Sequence, residues 1–173
     1  MPGRQRPLLL SRRAEDSDRV TMPAPPTRPL LIFGYGNPSR GDDALGPELL
    51  ERLQRQGLPE QTVELLSDFQ LQIEHALDLV DRERVLFVDA SLNVDPPYRF
   101  ERIQPQRDQS FTSHALTPAA LLHVYQQLQR QPPPPCYLLA IRGYLFELGQ
   151  PISRQAEANL EQGLEFITTF AFQ

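Results

Sequence analysis

The sequence predicts an α/β domain: a single three-layer unit with a mostly parallel β-sheet and helices on both faces. Two observations carry that expectation. Apolar runs of strand length alternate with amphipathic stretches of helix length along residues 29–173. The runs PLLIFGY at 29–35 and RVLFVDA at 84–90 are apolar almost throughout, as strands buried on both faces are. Alternating strands and helices imply parallel pairing with crossover helices. No internal repeat is visible, and 173 residues suggest one domain.

Each element has its own local reason. After the strand at 29–35, PELLERLQRQ at 47–56 puts Leu49, Leu50 and Leu53 on one face, with Leu45 just before. Gly46 or Asp43 is the expected cap, and Pro47 suits a first turn, where no N–H partner is needed. TVELLS at 62–67 reads as a second strand. LQIEHALDLVD at 71–81 carries Ile73, Leu77 and Val80 at helical spacing. The strand at 84–90 is followed by YRFERI at 98–103, whose alternation marks an edge or half-exposed strand. TPAALLHVYQQLQR at 117–130 opens with a Thr cap and a Pro at the first position. CYLLAIR at 136–142 is the last strand, and SRQAEANLEQGLEFITTF at 153–170 is a Ser-capped amphipathic helix.

Composition narrows the function. The net charge is −5 and the pI about 5.2, which argues against bulk attraction to nucleic acid or an anionic membrane. A single cysteine, Cys136, excludes an intrachain disulfide framework and a Cys-based zinc cluster, and fits a reducing cytoplasm. No apolar run approaches the roughly 20 residues that span a bilayer. Residues 1–28 are rich in Arg, Pro and charge without a sustained period, and are expected to form a disordered leader. Ser11-Arg12-Arg13 is followed by Ala14-Glu15-Asp16, where a twin-arginine signal would need an apolar stretch. Pro132 to Pro135 reads as a stiff connector between helix and strand.

In sheets of this kind ligands gather at the carboxyl ends of the strands. Three places there carry acid or imidazole. Asp42 and Asp43 follow the first strand through the turn Gly34-Tyr35-Gly36, Asp89 ends the run RVLFVD, and His114 lies in SFTSHALTP before the third long helix. Taken singly, each has a plain structural explanation: a strand-end Asp caps a turn, and a loop His satisfies a hydrogen bond. Helix capping explains one carboxylate of the Asp pair but not two in a row. Two carboxylates and an imidazole on successive strand-end loops could converge on one divalent cation, with water or substrate filling the open positions. His75 and His123 fall inside predicted helices and read as surface or boundary residues. Cys136 has no local His or Lys to activate it and reads as an inert buried thiol.

A nucleotide-binding reading competes. Gly34-x-Gly36-x-x-Ser39 nearly fits the dinucleotide fingerprint, and Asp68 follows the second strand where a ribose-binding acid belongs. The third glycine is absent, and Pro38 removes a backbone donor. Asp42 and Asp43 would set two negative charges beside a pyrophosphate, at a cost of a few kcal/mol each for an effective dielectric of about 20. The helix dipole returns only about 1 kcal/mol. A serine-hydrolase elbow, Gly-x-Ser-x-Gly, is missing.

The segments GYGNPSRGDDALG, VLFVDAS, TSHALTPAALL and LAIRGYLFELGQPIS, in that order, resemble the hydrogenase maturation endopeptidases. These enzymes trim a C-terminal extension from the large subunit of nickel–iron hydrogenases. The resemblance runs from about Leu30 to the terminal helix. It implies a twisted five-stranded sheet between helices, and metal binding by an acid after the glycine–asparagine turn, an Asp ending the third strand and a later His. On this sequence those positions are Asp43, Asp89 and His114. It further implies cytoplasmic action on a nickel-containing large-subunit precursor, with the nickel supplied by that precursor and no organic cofactor. Two chemical routes stay open: the ion polarises the carbonyl or acidifies a water, or a carboxylate serves as general base. A non-catalytic nickel-binding accessory module would carry the same three residues. The chain departs from the family at Ala44, where Gly is frequent. It departs again at SDFQLQIEH, where many members have Asp-Gly-Gly-Thr.

Overall fold

The structure, a computed structural model, describes residues 26–107 and 115–172. His114 and most of the N-terminal stretch lie outside the described residues, and the expectations placed on them lie there too.

Five strands, β1 (Leu30–Tyr35), β2 (Val63–Asp68), β3 (Arg84–Ser91), β4 (Tyr98–Ile103) and β5 (Cys136–Arg142), form one sheet in the order β2-β1-β3-β5-β4. All neighbours pair in parallel except β4, which runs antiparallel to β5 at the edge. The exception is local: only six residues, Leu92 to Pro97, separate β3 from β4, too few for a parallel crossover. Helices α1 (Leu45–Gln56), α2 (Pro118–Gln129) and α3 (Arg154–Ala171) cover the sheet.

The two faces follow the two-residue period of the strands. Leu30 and Ile32 of β1 join Leu86 and Val88 of β3 and Leu139 and Ile141 of β5 in a core closed by α1 and α3. Leu31, Phe33 and Tyr35, with Val85 and Phe87, point the other way, onto α2 and a short 3-10 helix, Ile73–Leu79. Thr117 caps α2, its hydroxyl accepting the Ala120 N–H at 3.1 Å, and Ser153 caps α3 in the same way at 3.2 Å.

Two local expectations are corrected. Residues 71–81 do not form an α-helix buried through Ile73 and Leu77. The 3-10 helix buries Ala76 and Leu79, three apart as its three-residue turn requires, and leaves Ile73 and Leu77 each 60% exposed. The start of α1 is not capped by Asp43 or Gly46. A 3-10 turn, Gly41–Ala44, runs straight into it, with Ala44 at the cap position and no side chain closing it. Gly46 serves packing instead: a Cβ there would stand 2.7 Å from the carbonyl oxygens of both Tyr35 and Val88. The first turn of α1 therefore rests directly on the carboxyl ends of β1 and β3.

Candidate functional site

The chain leaves β1 for β2 on one side and then returns past β1 to β3 on the other. Crossovers diverge between β1 and β3, and a crevice opens at the carboxyl ends of that pair. The loop after β1 carries Asp43, and β3 carries Asp89 near its end.

The turn after β1 is built around Asp43. Gly36 has φ +145°, and a Cβ there would lie 1.9 Å from the Asp43 carbonyl oxygen, so only glycine lets the loop fold back this closely. The Asn37 N–H donates to Asp43 Oδ2 at 2.8 Å. Asn37 in turn shapes the turn, its Oδ1 accepting the Ser39 N–H at 2.9 Å and its carbonyl the Arg40 N–H at 3.1 Å. Asp43 remains part-exposed.

Asp42 has a different fate. It is fully buried, and its carboxylate accepts four hydrogen bonds. Ser153 N–H reaches Oδ1 at 2.6 Å, and Tyr144 N–H, Leu145 N–H and the Ser153 hydroxyl reach Oδ2 at 2.6, 3.0 and 2.8 Å. Burial alone would raise its pKa, but these donors outweigh it and hold the carboxyl below its ordinary range. The pair of acids is thereby resolved: one turns inward to join two distant segments, and the other is left at the crevice.

Asp89 is in phase with Val85 and Phe87 on the α2 face, the face that Tyr35 also occupies. Its Oδ1 accepts the Ala90 N–H at 2.8 Å, and the Tyr35 hydroxyl lies beside its carboxylate. Burial pushes its pKa up to about 7 against these two groups, and the charge of Asp43 pushes in the same direction. Tyr35 is raised well above its usual value by burial and by the charge of Asp89, with Asp43 adding a smaller push. Asp89 thus lies within the field of Asp43. Tyr35 and Asp89 open onto a cleft of about 600 Å³ walled by Glu101 to Gln104 at the β4 edge and by Leu116 and Thr117 before α2.

Carboxylate oxygens such as these can bind a divalent cation. Among the described residues, no group of three or more His, Cys, Asp or Glu is placed to hold one. Asp43 and Asp89 stand at the carboxyl ends of the adjacent strands β1 and β3, near enough for the charge of Asp43 to raise the Asp89 pKa; His114, the third predicted residue, is outside the described residues. Tyr35 and Ser153 were not anticipated. Tyr35 was detectable from its strand parity with Asp89, whereas Ser153 is 111 positions from its partner Asp42 and gave no local signal.

The glycine turn does not suit a pyrophosphate. The Asp43 backbone fills the space over Gly36 that a phosphate would need. Asp68 is engaged with its own neighbours: Oδ1 accepts the Phe69 N–H at 2.6 Å and Oδ2 is 3.3 Å from His75 Nε2. His75 is a capping residue, its Nδ1 accepting the Gln72 N–H at 2.9 Å. His123 is a part-buried residue of α2. Cys136 is buried, and burial pushes its thiol up to about 12, which leaves it inert.

No protein-family model and no curated relative matches the chain. Solved structures do. The NiFe hydrogenase maturation protease HycI from Thermococcus kodakarensis KOD1 superposes with a TM-score of 0.63 at 21% identity, over 85% of this chain and 94% of that one. The hydrogenase maturating endopeptidase HybD from E. coli gives 0.65 at 23% identity, over 80% and 88%. A hydrogenase 2 maturation peptidase from a Thaumarchaeota archaeon gives 0.57 at 21%, over 82% and 97%. The sheet, its one antiparallel edge and its covering helices therefore make up the fold of the hydrogenase maturation proteases.

Proposed function

We propose that this chain is an aspartic-type endopeptidase that removes a C-terminal extension from the nickel-loaded large-subunit precursor of a nickel–iron hydrogenase. The observation that carries the reading is the placement of two carboxylates, Asp43 after β1 and Asp89 near the end of the adjacent β3, at the switch point of the sheet. Such a crevice repels a phosphate and attracts a cation. The fold likeness and the four ordered motifs supply the class of reaction.

On this reading Asp43, Asp89 and His114 recognise the nickel that the precursor carries and draw the scissile peptide beside it. The ion, part of the substrate, supplies Lewis-acid polarisation of a neighbouring carbonyl or water. Water adds across the peptide bond, and one of the two carboxylates takes its proton. Tyr35, on the same face of the sheet, stands beside Asp89 in the cleft. The family resemblance puts the reaction in the cytoplasm. Among the described residues no helix is long and apolar enough to cross a membrane.

The test is incubation of the chain with a large-subunit precursor, with and without nickel, followed by intact-mass analysis. Loss of a C-terminal peptide only from the nickel-loaded precursor supports the reading. A nickel-binding chain that cuts neither form is the non-catalytic accessory module instead.

A further inference from the structure

Asp42 joins the loop that carries Asp43 to the segment between β5 and α3, and the joint is two-sided. Its carboxylate accepts Tyr144 N–H, Leu145 N–H, Ser153 N–H and the Ser153 hydroxyl. Its own N–H donates back to the Leu145 carbonyl at 2.7 Å. On either side the backbone is tied to the same segment, Gly41 N–H to the Gln150 carbonyl at 2.9 Å and Gly149 N–H to the Ser39 carbonyl at 2.7 Å. Arg40 completes the set, its guanidinium donating to the Phe146 carbonyl at 3.3 and 3.4 Å. Asp43 is the next residue in the chain. Among the described residues its side chain has one bond, from Asn37 N–H, and its backbone N–H reaches back to the Arg40 carbonyl at 3.1 Å.

The carboxylate itself is the informative feature. A loop needing only stability would be served by backbone bonds. A buried charge is costly unless fully satisfied, and one this well satisfied fixes a single geometry. We propose that Asp42, with Ser153, is a positioning residue: it sets where the Asp43 carboxylate stands relative to Asp89, without touching substrate itself. The inference rests on the functional reading above. Ser153 links the same carboxylate to the cap of α3, because its hydroxyl donates to Asp42 and accepts the Ala156 N–H. Helix α3, packed across the core, thereby anchors the Asp43 loop.

The test uses the full chain and two readouts, nickel titration by calorimetry and processing kinetics on nickel-loaded precursor, each at a temperature where melts show the variant folded. Ser153→Ala removes one donor to Asp42 while Tyr144 and Leu145 remain. It is expected to weaken nickel binding by about tenfold and to lower kcat more than it raises KM. Ser153→Thr, which keeps the hydroxyl, is expected to restore both. Asp42→Asn, where it folds, is expected to show the larger loss. A Ser153→Ala chain that melts earlier but binds nickel and turns over like wild type per folded molecule overturns the inference and leaves Asp42 a structural clamp. A wild-type chain that neither binds nickel nor cuts the precursor overturns the functional reading and this inference with it.

Discussion

Replacing Asp43 by Asn leaves an amide oxygen to accept the Asn37 N–H, so the turn survives and stability is expected to change by less than about 1 kcal/mol. The same replacement at Asp42 sets an NH₂ group against N–H or O–H donors in either amide orientation. It is expected to cost about 2–5 kcal/mol, measured by urea melts. The four donors that bury Asp42 come from positions 102 to 111 residues away, so the neighbouring sequence carries no sign of that cost. Asp89 adds a pH dependence. Its raised pKa means that the folded chain holds a proton the unfolded chain has lost, from the ordinary carboxylate range up to about 7. Stability therefore falls as pH rises across that window. Asp42, held low, works oppositely: its contribution is present above the ordinary carboxylate range and is lost as pH falls below it. Melts of wild type and Asp89→Asn between about pH 5 and about pH 7 are expected to show the decline in wild type and a flatter profile in the variant.

The strands were legible element by element, because buried runs such as Val85–Val88 admit no other reading, and β4 was legible as an edge from its alternation. The helix at 71–81 was misread because Ile73, Leu77 and Val80 mimic α-helical spacing. The packing that decides the matter uses Ala76 and Leu79, which fit a tighter turn, with Leu71 buried just before it. The caps of α2 and α3 were legible, since Thr117 and Ser153 act within three residues. Thr117→Ala is expected to cost about 1 kcal/mol in a thermal or urea melt, the usual value of one cap bond. Gly36→Ala is expected to do far more, since its Cβ would meet the Asp43 carbonyl at 1.9 Å in a turn with positive φ. Loss of folded protein, or a displaced turn with no processing, is the expected outcome by circular dichroism and mass analysis.

At the scale of the molecule, strand order turns local motifs into a site. The alternation of strands and helices announced a sheet, but not that β1 and β3 would be the neighbours between which crossovers part. That arrangement sets Asp43 and Asp89, 46 residues apart in sequence, at the carboxyl ends of adjacent strands. The composition of residues 1–28, rich in Arg, Pro and charge, does not suit a packed core, so a chain starting at Met22 is expected to keep the melting temperature and processing rate of the full chain. A marked loss of either would show that the preceding residues belong to the working molecule. The central claim, that the glycine turn aims Asp43 at a cation carried by a precursor, has one direct test. Nickel-loaded hydrogenase large-subunit precursor is incubated with wild type and with Asp43→Asn, and the cleaved fraction is followed by intact mass, with melts to confirm folding. The account predicts time-dependent loss of a C-terminal peptide with wild type and none with the folded variant. Equal cleavage by both, or cleavage of nickel-free precursor at the same rate, would contradict it.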